Sequence, residues 1–129
     1  MYINPIERIK KIHIWIGNTL KSEEDYLKYF NQEDDISQFS KDIDIDEYDE
    51  DFIGIIPFFD KQLSVLNVLN NEVPIDKSEI PKALEICNNL NIKEVNAVFY
   101  LTDSAVSIPA SKQNIYNDLH YIGVYNSEL

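Results

Sequence analysis

Seven carboxylates crowd the run Asp42-Ile43-Asp44-Ile45-Asp46-Glu47-Tyr48-Asp49-Glu50-Asp51. Such a run can do chemistry in three ways: cage a divalent cation, pair two carboxyls for acid–base work, or present negative charge to a basic partner. The alternation Asp42-x-Asp44-x-Asp46 opens like a calcium loop. That loop needs glycine at its sixth position for a sharp turn and glutamate at its twelfth as a two-oxygen ligand. Glu47 and Ile53 stand there instead. The oxygen cage does not close, which leaves only weak, adventitious divalent binding to the run. Acid–base catalysis would need one carboxyl in apolar surroundings with a raised pKa. Every acid of this chain lies in a hydrophilic stretch, and none is singled out. Presentation of charge is the chemistry left.

The other candidate groups are sparse. His13 and His120 are the two histidines, and both fall in predicted strands. A metal site would need them to converge with an acid or with Cys87, and nothing in their spacing requires it. Cys87 sits on an apolar helix stripe, where a free cysteine usually packs as a small hydrophobe. No glycine-rich phosphate loop and no Gly-x-Ser-x-Gly elbow occurs. The sequence therefore predicts no catalytic residues, no metal and no cofactor. Trp15 faces opposite Ile12, Ile14 and Ile16 on its strand. It is either core or, on an open sheet face, an interface anchor, and the core reading is the stronger because large apolar rings are most often buried. Tyr48, an aromatic ringed by charges, reads as a contact residue on a protein-binding surface.

These residues need elements to hold them. Ile12 to Ile16 alternate as a strand, closed by Gly17-Asn18. Ser22 can cap a helix whose first turn holds Glu23, Glu24 and Asp25, with Tyr26, Leu27 and Phe30 facing inward. A second short helix over Ile36 to Lys41 would turn Ile36 and Phe39 inward. Phe52 to Phe59 is a strand, at an edge or bulged because Pro57 lacks a ladder donor. Leu63, Leu66 and Leu69 suggest a short helix. A clearer one follows, capped by Ser78, with Pro81 in its first turn and a stripe of Ile80, Ala83, Leu84, Cys87 and Leu90. Val95 to Leu101 and Leu119 to Tyr125 are strands, joined by a loop over Thr102 to Asp118. The order β-α-α-β-α-α-β-β predicts an α+β fold. It should be a mostly antiparallel sheet of about four strands with helices packed on one face.

The chain's 129 residues fit one domain, 1–129, with a normal apolar load of 44% and no linker or repeat. Its single cysteine fits a reducing cytoplasm. The apolar run Ile12 to Ile16 is too short for a signal-peptide core or a membrane span. Of the net charge of −12, −11 falls in the 29 residues from Glu23 to Asp51, which hold 13 of the 23 carboxylates beside only Lys28 and Lys41. A solvated acidic face is the common fate of such runs. A field of one sign also repels nucleic acid and anionic lipid and attracts basic protein surfaces.

Several segments together resemble the immunity protein 22 family of bacterial polymorphic toxin systems. They are His13-Ile14-Trp15-Ile16-Gly17, Ser22-Glu23-Glu24, Ser37-Gln38-Phe39, Lys41-Asp42-Ile43-Asp44-Ile45-Asp46 and Tyr48-Asp49-Glu50-Asp51-Phe52-Ile53. The strands Asn96 to Leu101 and His120 to Tyr125 suit it more loosely. Where the family pattern has an acidic residue soon after Phe52, this chain has Gly54-Ile55-Ile56. The resemblance implies a protein encoded beside a toxin, which binds the toxin domain and blocks it in the producing cell, without catalysis or cofactor. It does not say which residues touch the toxin. Those come from the physical reading: Asp42, Asp44, Asp46, Glu47, Tyr48, Asp49, Glu50 and Asp51, with Trp15. A basic cleft, such as a nuclease's, is the expected target. The alternatives are a regulatory or scaffold module for some other basic protein and, further off, a carboxylate-rich metal-binding domain or hydrolase. The sequence leaves the oligomeric state open.

Overall fold

Because Ile12, Ile14 and Ile16 alternate with His13 and Trp15, their strand must supply side chains to a core on each face of its sheet. The computed structural model describes residues 4–33, 35–56, 58–109 and 113–129, and in it Ile12 through Gly17 are all buried. The elements run α1 (Pro5–Arg8), β1 (Lys11–Gly17), α2 (Glu23–Lys28), α3 (Gln38–Asp42), β2 (Ile53–Ile56), β3 (Leu63–Ser64) and α4 (Val65–Asn71). A 3₁₀ turn (Lys77–Glu79) then leads into α5 (Ile80–Asn89), β4 (Glu94–Val95), β5 (Ala97–Leu101), β6 (Ile115–Tyr116) and β7 (Leu119–Asn126).

The α+β class and the antiparallel sheet are as expected. The main sheet has five strands rather than four, in the order β2-β5-β1-β7-β6, and β3 pairs with β4 separately. Helices cover one face as expected: α4 and α5 bring Val65, Val68, Leu69, Ile80, Ala83 and Cys87 against Ile12, Ile14 and Ile16. The opposite face is also covered. There α2 and α3 bring Tyr26 and Phe39 against Trp15, Phe99 and Leu101. The register slips between Ile14 and Trp15, where β7 carries one extra residue beside Gly123. Gly123 has φ +112°, a conformation that suits glycine at such a bulge.

Several local expectations shift by a residue or two. In α2 the inward side chains include Tyr26 and the following Tyr29 and Phe30, while Leu27 is 44% exposed. Ser37 caps α3, leaving Ile36 exposed and Phe39 buried. In α4 it is Val65, Val68 and Leu69 that turn inward, and Leu66 faces out. Asp76, not Ser78, caps the 3₁₀ turn that leads into α5. The stretch expected as a loop before β7 contains β6, joined to it by Asn117-Asp118. Both turn residues have positive φ, 53° and 73°, as a two-residue hairpin turn requires.

β2 is an edge strand, as expected, and Pro57 itself lies outside the described residues. Its Gly54 sits opposite Tyr100, whose ring lies across the glycine: a Cβ there would stand 2.1 Å from Tyr100 Cζ. An acidic side chain has no room at that point unless Tyr100 moves.

His13 is buried on the Trp15 face. Its Nε2 donates to the Val106 carbonyl (3.0 Å), which can only accept, so Nδ1 accepts from the Tyr121 hydroxyl (2.7 Å). Burial pushes its pKa below the ordinary histidine value. The unfolded chain therefore binds the proton more readily, and stability falls as pH drops through about 6.5. Urea unfolding at pH 7.5 and 5.5 should show a loss approaching ~1.4 kcal/mol per pH unit at most. His13→Gln should lack that part of the slope, and an equal slope in both proteins would refute the assignment.

Candidate functional site

The acidic segment hangs from two short helices and enters the edge strand β2. Ser22 Oγ accepts from the Asp25 amide (3.2 Å) and Ser37 Oγ from the Ser40 amide (3.0 Å), so caps rather than long apolar repeats define α2 and α3. Between Asp42 and Phe52 there is no regular element, and three anchors fix the chain.

The first anchor is Asp42, whose carboxylate accepts from the Tyr29 hydroxyl (2.6 Å) and the Gln38 amide (2.9 Å). Burial, reinforced by that bond to Asp42, drives the Tyr29 hydroxyl far above its ordinary pKa. Asp44 then turns the chain at φ 60°, while Ile43 is buried and Ile45 half-buried.

Tyr48 is the second. The Gln32 side chain brackets its backbone, accepting from its N–H (3.0 Å) and donating to its C=O (3.1 Å). The Tyr48 hydroxyl donates to the Phe30 carbonyl, and its ring meets Phe39 edge-on at 5.6 Å. Burial, with Glu50 nearby, pushes that hydroxyl up to about 12. The third anchor is an Asx turn, in which Asp49 Oδ1 accepts from the Asp51 amide (2.9 Å) and delivers the chain into β2.

Trp15 and Tyr48 thus place their rings in the core and not at the surface. Trp15 is fully buried, packed between Phe99 and Phe39. Tyr48 is 6% exposed, because its ring is the plug that seats the acidic loop on the core. The carboxylates behave differently. Asp44, Asp46, Glu47, Asp49, Glu50 and Asp51 are exposed and Asp42 is half-buried. They do not form one cluster. Asp42 and Asp44 act on buried Tyr116, whose hydroxyl is held up first by burial and then by their charge.

Glu47, Asp49, Glu50 and Asp51 line a separate hollow of about 610 Å³, together with Tyr48 and Arg8. Arg8 is the base of that hollow, and it is already paired. It grips Asp103 with Nε at 3.1 Å and Nη2 at 2.5 Å, and lies over the Phe52 ring at 5.2 Å. The Asp103 hydrogen bond raises the guanidinium pKa further.

A second groove of about 380 Å³ adjoins the hollow, and Tyr48 and Glu50 line both. Leu27, Phe30, Ile53 and Ile55 give it an apolar lining, and Glu33 and Glu50 add carboxylates. Sequence reasoning missed Arg8, Gln32 and this groove. The one local signal was Leu27, an apolar residue in an acidic helix.

Elsewhere, a hollow of about 650 Å³ at the Gly17 end of β1 is lined by Lys93, Glu94, Asp118 and His120 among others. His13 does not belong to it, and Cys87 lies in the core of the opposite sheet face. Among the described residues no three His, Cys, Asp or Glu side chains gather as metal ligands.

A family model described as Immunity protein 22 matches residues 12–128. The chain belongs to the Immunity protein 22 family. Neither a curated protein nor a solved structure was found to match it. Membership in the Immunity protein 22 family points to a toxin-neutralising role, to a cognate toxin protein as partner, and to an inhibitor rather than an enzyme. No helix among the described residues is long and apolar enough to cross a membrane.

Proposed function

We propose that this Immunity protein 22 member neutralises its toxin by a stoichiometric complex in the cytoplasm of the producing cell, through the acidic loop between Asp42 and Asp51. The toxin is basic at the contact, as a nuclease cleft would be, and the carboxylates of Glu47, Asp49, Glu50 and Asp51 stand where substrate phosphates would. The observation that carries this reading is the seating of the loop. Tyr48 and Gln32 lock its backbone to the aromatic core while four carboxylates line one hollow beside it. A loop held in place before binding loses less entropy on association. Its uniform charge steers a basic partner, with the gain screened as salt rises. Asp42, Asp44 and Asp46 extend the same field.

Glu47 and Glu50 are exposed, with no hydrogen bond inside the chain among the described residues, so both can be reversed without disturbing the fold. Glu47→Lys/Glu50→Lys should slow association with the toxin domain encoded beside this chain by roughly 10- to 100-fold at low salt. The dependence on ionic strength should flatten, with dissociation changing less. Stopped-flow mixing across a salt series measures both. A folded variant with unchanged rate and salt slope would refute the acidic-loop reading.

A further inference from the structure

The geometry points to the free edge of β2 as the place where an extended, basic strand of the toxin adds to the sheet. This rests on the toxin-neutralising reading above and says how the toxin is held.

Among the described residues β2 is the outer strand of the five-stranded sheet and pairs on one side only, with β5. The Phe52 carbonyl accepts from the Thr102 amide (2.8 Å), which fixes the phase of that pairing. In an antiparallel ladder, residues alternate between bonding inward and outward. Gly54 and Ile56 therefore bond towards β5, and the N–H and C=O groups of Ile53 and Ile55 point away from the sheet. Pro57, next in the sequence, has no amide hydrogen, so the row of outward donors ends at Ile55.

Edge strands are usually guarded by inward-pointing charge, by lysine or by a covering element. Ile53-Gly54-Ile55-Ile56 carries no charge. On the Trp15 face, the side chains of Ile53 and Ile55 pack beside Leu27 and Phe30 along the 380 Å³ groove. Leu27 is 44% exposed there. Strand addition uses this combination: main-chain groups give affinity, and a groove beside the edge takes alternate side chains of the incoming strand.

Charge selects the occupant. Glu33 and Glu50 border the groove, and Glu47, Asp49 and Asp51 lie around the adjoining hollow. A second copy of this chain would set the same carboxylates against one another across a two-fold axis. A toxin strand with apolar residues for the groove and lysine or arginine beside them meets both features.

The test uses the full-length chain and the toxin domain encoded beside it, with the toxin's active site disabled. In the free protein the Ile53 and Ile55 amides should exchange with solvent quickly, and in the complex about 100-fold more slowly, by NMR-detected hydrogen exchange. Ile55→Pro removes one outward donor without touching the bonds of Gly54 and Ile56, and should weaken binding at least tenfold. Should that variant not fold, Leu27→Lys, a change at an exposed position, should weaken binding by repelling the basic strand. A complex in which both amides exchange as in the free protein, and which Leu27→Lys leaves as tight, overturns strand addition while neutralisation stands. Protection that grows with the concentration of the chain alone, with a dimer by light scattering, overturns it in favour of self-pairing. No association of the wild-type pair removes the toxin reading and this inference with it.

Discussion

Replacing Trp15 with alanine should cost about 3–5 kcal/mol of stability, a large share of the ~5–15 kcal/mol typical of a domain. The indole is fully buried in the centre of β1. Phe99 stacks on it at 4.8 Å, and Phe39, Tyr121 and Tyr116 surround it at 5.2, 5.0 and 5.9 Å. Four rings cannot all close on the space an alanine leaves, so the loss of burial is joined by the cost of a cavity. The urea midpoint should fall with an unchanged slope, and Tm should drop by roughly 10–20 °C. Trp15→Phe should cost much less, because the indole N–H has no hydrogen-bond partner among the described residues and its removal relieves an unpaired buried donor. An interface anchor would give the reverse pattern, with stability intact and toxin binding lost. The loss should also reach the acidic loop, because Phe39 links the indole to Tyr48.

How much of this could be read from residues alone depended on whether the cause was local. β1 was legible because isoleucines alternate with His13 and Trp15, and α5 because Ile80, Ala83 and Cys87 repeat at helical spacing. The cap at Ser22 was legible one residue before its helix, whereas α3 starts after Ser37 and not at Ile36. The β6–β7 hairpin was not legible, since its turn is Asn117-Asp118 without the glycine that usually marks one. In α4 the spacing of Leu63, Leu66 and Leu69 competed with that of Val65, Val68 and Leu69, and only packing decides between them. Tyr48 shows the limit most clearly. Its charged neighbours place the backbone at the surface, yet the ring turns inward because Gln32, Phe30 and Phe39, distant in sequence, form a seat for it. The carboxylates from Asp44 to Asp51 were legible as exposed, but the burial of Asp103 and the division between the Tyr116 side and the Arg8 hollow were not. Nor was the groove that α2 and β2 build together, which no single segment contains.

Arg8→Met should destabilise the protein by about 2–3 kcal/mol, more than Asp103→Asn, and the order of the two is the test. The pair is unequal: the Asp103 side chain is 5% exposed and that of Arg8 33%. Without Arg8 a carboxylate stays buried with no counter-charge, held only by bonds such as that from the Ala105 amide (2.9 Å). Without the Asp103 charge the guanidinium can still turn to water, so the penalty there should be nearer ~1 kcal/mol. The estimate for Arg8 lies below the ~3–5 kcal/mol of a fully buried pair because half of this one already touches solvent. Chemical denaturation of the two single variants and the double variant gives the order and the coupling. Equal losses, or a larger one for Asp103→Asn, would refute the argument that the unequal burial of the two charges sets their cost. Among the described residues, Arg8→Met also removes the one base lining the acidic hollow. Its association with a basic toxin at low salt should therefore quicken while its stability falls. Opposite signs in the two measurements would separate the binding field from the fold that carries it.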